Sequence, residues 1–207
     1  HGKRTGRVEV ESLESKHAGF VCDELTVVPS IYMKFLRPRK AAGREVIYVD
    51  GWNDGQLVAH ESGMLGFKTF YLDPTGSLAM RGSRNPITKA GIENLVRQLI
   101  EKAERDRAVG QCIVEYREDG AIGDRPCTVI ELLHPDRQPE FEFHKAEVFI
   151  DQELNIPVRY AAYDWPAVPG GEPRLLEEYT YFNITLNVGL TDEDFSQTNP
   201  NYNFPSR

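Results

Sequence analysis

One stretch of this chain constrains everything around it. From residue 85 the chain reads Asn-Pro-Ile-Thr-Lys-Ala-Gly-Ile-Glu-Asn-Leu-Val-Arg-Gln-Leu-Ile-Glu-Lys-Ala-Glu-Arg-Asp. Ile92, Leu95, Val96, Leu99, Ile100 and Ala103 recur at steps of three and four, the period of one helix face. Glu93, Arg97, Gln98, Glu101, Lys102 and Arg105 fill the other face. Asn85 suits an N-cap and Pro86 the first helical position, where no N–H is needed. The spacing therefore predicts a principal helix within 85–108. No other stretch carries a long helical period. A lone amphipathic helix cannot bury its own stripe, so it must lie on a sheet.

The remainder reads as strand. Apolar and β-branched runs place strands at 7–17, 20–28, 31–36, 45–50, 57–61 and 68–73, with Pro29 ending the second. After the helix come 112–122, 125–133, 141–150, 156–163 and 175–186. Asn53-Asp54-Gly55 and Asp151 to Asn155 read as tight turns. Residues 166–173 are too rich in Pro and Gly for regular structure. Residues 74–84 form a long connection into the helix, which is either a solvated crossover or a functional loop. Two turns could join 112–122 to 125–133. Asp119-Gly120 would set Cys112 opposite Cys127; Gly123-Asp124, the favoured choice, gives longer strands and separates the sulfurs. The pattern predicts one domain over 1–207, α+β but mostly β. Its single antiparallel sheet is strongly curved, an incomplete barrel, with the helix on its concave face.

Charge and composition exclude several function classes. The net charge is −8, and the basic clusters (Arg37, Arg39 and Lys40; Arg81 and Arg84) are short. A duplex-binding surface needs a basic stripe that displaces counterions, so nucleic acid is not an expected partner. No run approaches 18 apolar residues, so no membrane span is expected. The chain begins at His1 and not Met, which reads as a processed or truncated product from which an export signal has been removed. None of the three cysteines, Cys22, Cys112 and Cys127, sits in a C-x-x-C pair, which argues against structural zinc and for free thiols.

Catalytic motifs are missing. There is no Gly-rich phosphate loop, no G-x-S-x-G elbow and no H-E-x-x-H, and His60-Glu61 on a strand would point to opposite faces. Asp192-Glu193-Asp194 lacks the alternate ligands and the glycine turn of a calcium loop. No catalytic residue, metal or cofactor is expected, and the chain does not read as an enzyme. What stands out is apolar supply. Ile31, Met33, Phe35, Ile47, Val49, Phe70 and Leu72 read as one face, and later strands add Val114, Tyr116, Ile130, Leu132, Val148 and Ile150. One helix stripe is too small to cover all of that. The surplus either packs on itself as an ordinary core or lines an apolar ligand cavity.

Several stretches carry a resemblance. They are Tyr32-Met33-Lys34-Phe35-Leu36, Gly43 to Val49, Asn53-Asp54-Gly55, Leu72-Asp73-Pro74-Thr75-Gly76 and Arg125-Pro126-Cys127-Thr128. Tyr163-Asp164-Trp165-Pro166, Glu178-Tyr179-Thr180-Tyr181, Asn187 to Asp192, Phe195 and Asn199-Pro200 complete the set. Together they resemble an uncharacterised bacterial family, domain-of-unknown-function family 1571, of the lipoprotein-carrier (LolA/LolB-like) superfamily. The resemblance implies a half β-barrel with an apolar mouth that receives acyl chains, in the periplasm or cell envelope. It supplies no catalytic residues.

The leading expectation is a non-enzymatic protein that binds a lipid or the acyl chain of a lipoprotein. Met33, Phe35, Ile47, Phe70, Leu72, Leu95, Leu99 and Tyr116 are the candidate ligand-binding residues. The rival is an envelope interaction or sensor module with a filled core, acting on a protein partner through loops 74–84, 37–40 and 166–173.

Overall fold

The computed structural model describes residues 9–21, 24–63, 66–110, 112–168 and 170–205, with side chains from Pro29 onward. The chain forms two compact units, 1–91 with 187–207 and 92–186. The strands make two five-stranded antiparallel sheets, one in each unit, where the sequence predicted a single sheet. The fold is mostly β, with one α-helix among the described residues.

In the first unit, β1 (Glu9–Val21), β2 (Glu24–Arg37), β3 (Glu45–Val49), β4 (Leu57–His60) and β5 (Thr69–Leu72) pair in sequence order. The break expected at Pro29 is not there. A proline forfeits its N–H but keeps its carbonyl, and that of Pro29 accepts the Asp50 N–H at 3.0 Å. Residues directly opposite in a ladder share a face. The register Tyr32↔Ile47↔Val58↔Tyr71 therefore defines one face, and Met33↔Val46↔Ala59↔Phe70 the other. Both faces are covered by the unit's own chain. Ala79 and Ile87, from the connection after β5, pack on Val46, Tyr48, Leu57 and Ala59. Within 74–84 that connection is anchored by buried Pro74 and by Ala79, while residues 75, 77, 78 and 81–84 stay exposed. Leu190, Phe195, Tyr202 and Phe204 cover the opposite face.

The C-terminal segment is a strap. Thr191 and Asp194 form a reciprocal capping box around the short 3-10 helix Asp192–Phe195, which aims Phe195 into the core. Tyr202 stacks on Tyr32 with ring centroids 3.9 Å apart. Glu45 is 0% exposed, and its carboxylate accepts the backbone N–H of Asn203 at 2.8 Å and its side-chain amide at 2.7 Å.

In the second unit, β6 (Ile113–Ile122), β7 (Arg125–Leu133), β8 (Lys145–Asp151), β9 (Pro157–Asp164) and β10 (Arg174–Thr180) pair as successive antiparallel neighbours. The β6–β7 turn is Gly123-Asp124, the favoured alternative, so Cys127 faces Gly120 and not Cys112. Gly120 follows a break in register, and a Cβ there would overlap the Val129 side chain. Cys112 and Cys127 are free thiols. The β8–β9 turn hangs on Asp151, whose carboxylate binds Arg125 through Nε and, at 2.9 Å, Nη2. It also accepts the N–H groups of Glu153 and Leu154 at 2.9 and 2.8 Å.

Three outcomes follow. Unreduced, denatured protein is expected to titrate with three thiols; a count of one would reveal a bridge. Cys22 lies outside the described residues. Glu45→Ala orphans the Asn203 N–H and is expected to lower the unfolding free energy by about 1–3 kcal/mol in urea titration. The Asp151 carboxyl is held well below the usual range, first by Arg125 and then by the Leu154 and Glu153 N–H groups. A depressed carboxyl stabilises the fold above its unfolded value of about 4, and that contribution disappears as pH falls through the lower folded value. Asp151→Asn should therefore lower the neutral-pH urea midpoint and flatten its decline at acid pH.

Candidate functional site

The helix α1 runs from Ile92 to Val109, 18 residues. It begins later than Asn85 and Pro86 predict. Those residues lead instead into a 3-10 turn, Ile87–Lys89, and Gly91 (φ +101°) makes the bend into α1. Glu93 and Arg97 pair at 3.1 Å along its outer side. Leu95 and Leu99 pack on Phe143, Ala146, Tyr160 and Ala162, with Leu132, Val148 and Leu176 around them. The inward row continues through Lys102 to Asp106, whereas Ile100 and Ala103, which periodicity placed in the stripe, are exposed.

The register Tyr116↔Ile130↔Val148↔Tyr160 puts Tyr116 on the face that α1 covers. Yet Tyr116 is 71% exposed and its neighbour on that face, Val114, 42%. The helix covers this face toward β9 and leaves the β6 side open. The opposite face sets a lattice of charge among buried Cys127, Val129 and Ala161. Glu147 binds Lys145 at 3.0 Å and Arg159 at 3.3 Å, and Arg159 reaches Glu178 at 2.9 Å.

The candidate residues separate accordingly. Met33, Phe35, Phe70 and Leu72 share one face of the first sheet, where Phe35 and Leu72 join the packed cluster under Ala79 and Ile87. Ile47 is turned to the other face, buried under Phe195 and Phe204. Grouping it with Met33 and Phe35 is corrected by the register, which sets Ile47 opposite Tyr32. Leu95, Leu99 and Tyr116 belong to the second unit and share its apolar face.

Sequence reasoning missed the polar end of α1. Asp106 is 6% exposed and His134 0%. His134 Nδ1 donates to the Phe143 carbonyl at 2.9 Å, and its Nε2 lies 3.4 Å from Asp106 Oδ2. The ring stacks on Phe141 with centroids 3.9 Å apart. Glu142 meets Lys102 at 2.8 Å and Arg105 at 3.2 Å, and Lys102 first holds its carboxyl below the usual value. Burial pushes the Asp106 carboxyl up, against the pull of His134, Lys102 and Arg105. Cys112 and His134 each lie one residue beyond Ile113↔Leu133, the pair that ends the β6–β7 ladder. Thiol, imidazole and carboxylate together are the residue types of nucleophilic catalysis. Here Nδ1 is committed to the Phe143 carbonyl, Nε2 makes no hydrogen bond, the ring is sealed, and burial with the nearby Asp106 raises the Cys112 thiol. A thiol raised in this way is not an activated nucleophile. The signal in the sequence was Asp106, seven residues beyond Leu99 on the inward row.

A shallow depression of about 570 Å³ is lined by Leu190, Thr191, Asp192 and Glu193. Its rim is mostly exposed and polar. No group of three or more His, Cys, Asp or Glu side chains is placed to hold a metal among the described residues. No helix there is long and apolar enough to cross a membrane.

The family model described as "Protein of unknown function (DUF1571)" matches residues 26–204. The chain belongs to this family. No curated protein matches it. Among solved structures, it is similar to a DUF1329 family protein from Desulfovibrio piger, at 12% identity and TM-score 0.35, over 91% of this chain and 82% of that one. It is also similar to a structure of the CwlD amidase from Clostridioides difficile in complex with the GerS lipoprotein. There the identity is 12% and the TM-score 0.38, over 86% of this chain and 85% of that one. A third is a putative outer membrane lipoprotein-sorting protein domain from Vibrio parahaemolyticus, at 13% and 0.32, over 86% and 70%. Likeness of that degree transfers no function to this DUF1571 chain.

Proposed function

We propose that this DUF1571 protein is a non-enzymatic binder of an acyl chain, free or attached to a protein, in the cell envelope, and that it works as one domain. The observation that supports this is the uncovered part of the face under α1. Leu95 and Leu99 cover its centre, while Tyr116 and Val114 stay exposed beside half-buried Ile130 and Val148. An acyl chain laid along that strip gains about 0.8 kcal/mol per buried methylene. No polar chemistry is needed for such affinity, which agrees with the motif-poor sequence. Tyr116 would sit at the rim and Leu99 at the inner end.

A second reading has its own support. Both faces of the first sheet are filled by the unit's own chain, through Ala79 and Ile87 on one side and the strap on the other. A filled sheet of that kind suits a protein-interaction module acting through the turns at 37–40 and 74–84.

A fluorescent fatty acid distinguishes them. The parent is expected to bind it saturably. Tyr116→Lys, at an exposed position, should keep the circular dichroism spectrum and weaken binding about tenfold, which corresponds to about 1.4 kcal/mol. Leu99→Glu places a charge on the inner wall and should abolish binding wherever it remains folded. A parent that binds no apolar probe overturns the carrier reading and leaves the interaction module.

A further inference from the structure

We propose that β6, the outer strand of the second sheet, pairs antiparallel with β6 of a second copy of this chain, about a two-fold axis through Tyr116. The pairing stands on the strand's own residues and not on any ligand.

β6 is the last strand of its sheet, and among the described residues it pairs with β7 alone. In an antiparallel ladder the backbone N–H and C=O groups of alternate residues point away from the partner. At an edge those groups are open to a further strand. The strand is exposed from Ile113 to Asp119, with Tyr116 at 71%. On the face under α1 the helix leans toward β9, which leaves room for a neighbour beside Val114 and Tyr116.

The charges of the edge choose the partner. Charged side chains usually blunt an edge, and a run of one sign would repel a second copy. β6 instead carries both signs on one face, at Glu115 and Arg117. Glu115 has no cation partner among the described residues. Across the ladder it faces another carboxylate, Glu131, which Lys145 engages at 3.8 Å. Arg117 is held loosely, 3.5 Å from Asp119 and 4.0 Å from Glu131. At the far edge of the sheet the charges of β10 are already engaged, Arg174 by Asp164 at 2.7 Å and Glu178 by Arg159 at 2.9 Å.

Two-fold symmetry fixes the register. When a sheet continues into its copy about an axis normal to it, opposed residues lie on the same face, so the axis passes through a residue that faces itself. With Glu115 or Arg117 on the axis, like charges stand opposite. With Ile113 or Val114 there, Glu115 faces an uncharged residue. Tyr116 on the axis sets ring beside ring and matches Glu115 with Arg117 of the second copy, twice over. Past Arg117 the β6–β7 ladder shifts register, which confines the regular pairing to the residues around that axis. The pairing also brings the Val114–Tyr116 margins of two copies together on one face. Their use by an acyl chain rests on the proposed function.

Analytical sedimentation of the full chain tests this, at concentrations from about 1 to about 100 µM. The wild type should pass from monomer to dimer in that range; a monomer throughout overturns the proposal. Glu115→Arg and Arg117→Glu each set two like-charged pairs in the ladder. Each should weaken the dimer at least about tenfold, with an unchanged circular dichroism spectrum. The double variant Glu115→Arg/Arg117→Glu restores both pairs in reverse and should dimerise like the wild type. Single variants that dimerise as the wild type does, or a folded double variant that does not, overturn the proposal. Hydrogen exchange of the wild type gives a second reading that needs no variant. Amide protection across 113–117 must rise with concentration while that of β10 stays level; a dimer without this change pairs elsewhere and overturns the proposal. A dimer that binds no fatty-acid probe fails the ligand reading alone, and a monomer that binds one fails the pairing alone.

Discussion

Two five-stranded sheets have to be covered by very little helix, and the structure follows from how each face is closed. β3 is buried along its whole length, so the first sheet needs a cover on both sides. One is supplied by the connection after β5 and the other by the C-terminal strap. The second sheet meets the demand differently. One face pairs its charges with one another around buried Cys127, Val129 and Ala161, and the other carries the apolar residues under α1. The helix is the cover there, and it is too short a stripe for five strands. The open margin at Val114 and Tyr116 is therefore a geometric remainder of the fold, and it is where a function can reside.

The covers are fixed in place by buried carboxylates. Glu45 holds the strap through Asn203, far along the chain, and Asp151 holds the β8–β9 turn through Arg125. Asp106 ties α1 to the start of the β7–β8 connection through His134. A buried carboxylate is costly unless donors converge on it, so each one selects a single docking of the segment that brings them. Glu45 and Asp151 receive two or more donors. Asp106 Oδ2 receives no hydrogen bond and lies 3.4 Å from His134 Nε2.

The sequence by itself determined the mostly-β class, the long helix and the position of most strands, and it favoured the Gly123-Asp124 turn that the register then selected. Those depend on period, turn chemistry and length, all local. The family was equally legible, since its motifs are runs of adjacent residues. The start of α1 was misplaced because Asn85-Pro86 opens a 3-10 turn as well as it opens a helix, and only packing of Ile87 on the first sheet chose between them. Tertiary structure alone decided which face each strand turns inward. Glu-Val-Ile-Tyr-Val in β3 has no polar alternation to read, so Ile47 could be assigned to its face only by its partner Tyr32. It likewise decided that the strands divide into two sheets, and that Asp106 and His134 meet. A periodicity search weighs apolar residues and passes over a carboxylate and an imidazole 28 positions apart, whose pairing exists only after the helix has docked.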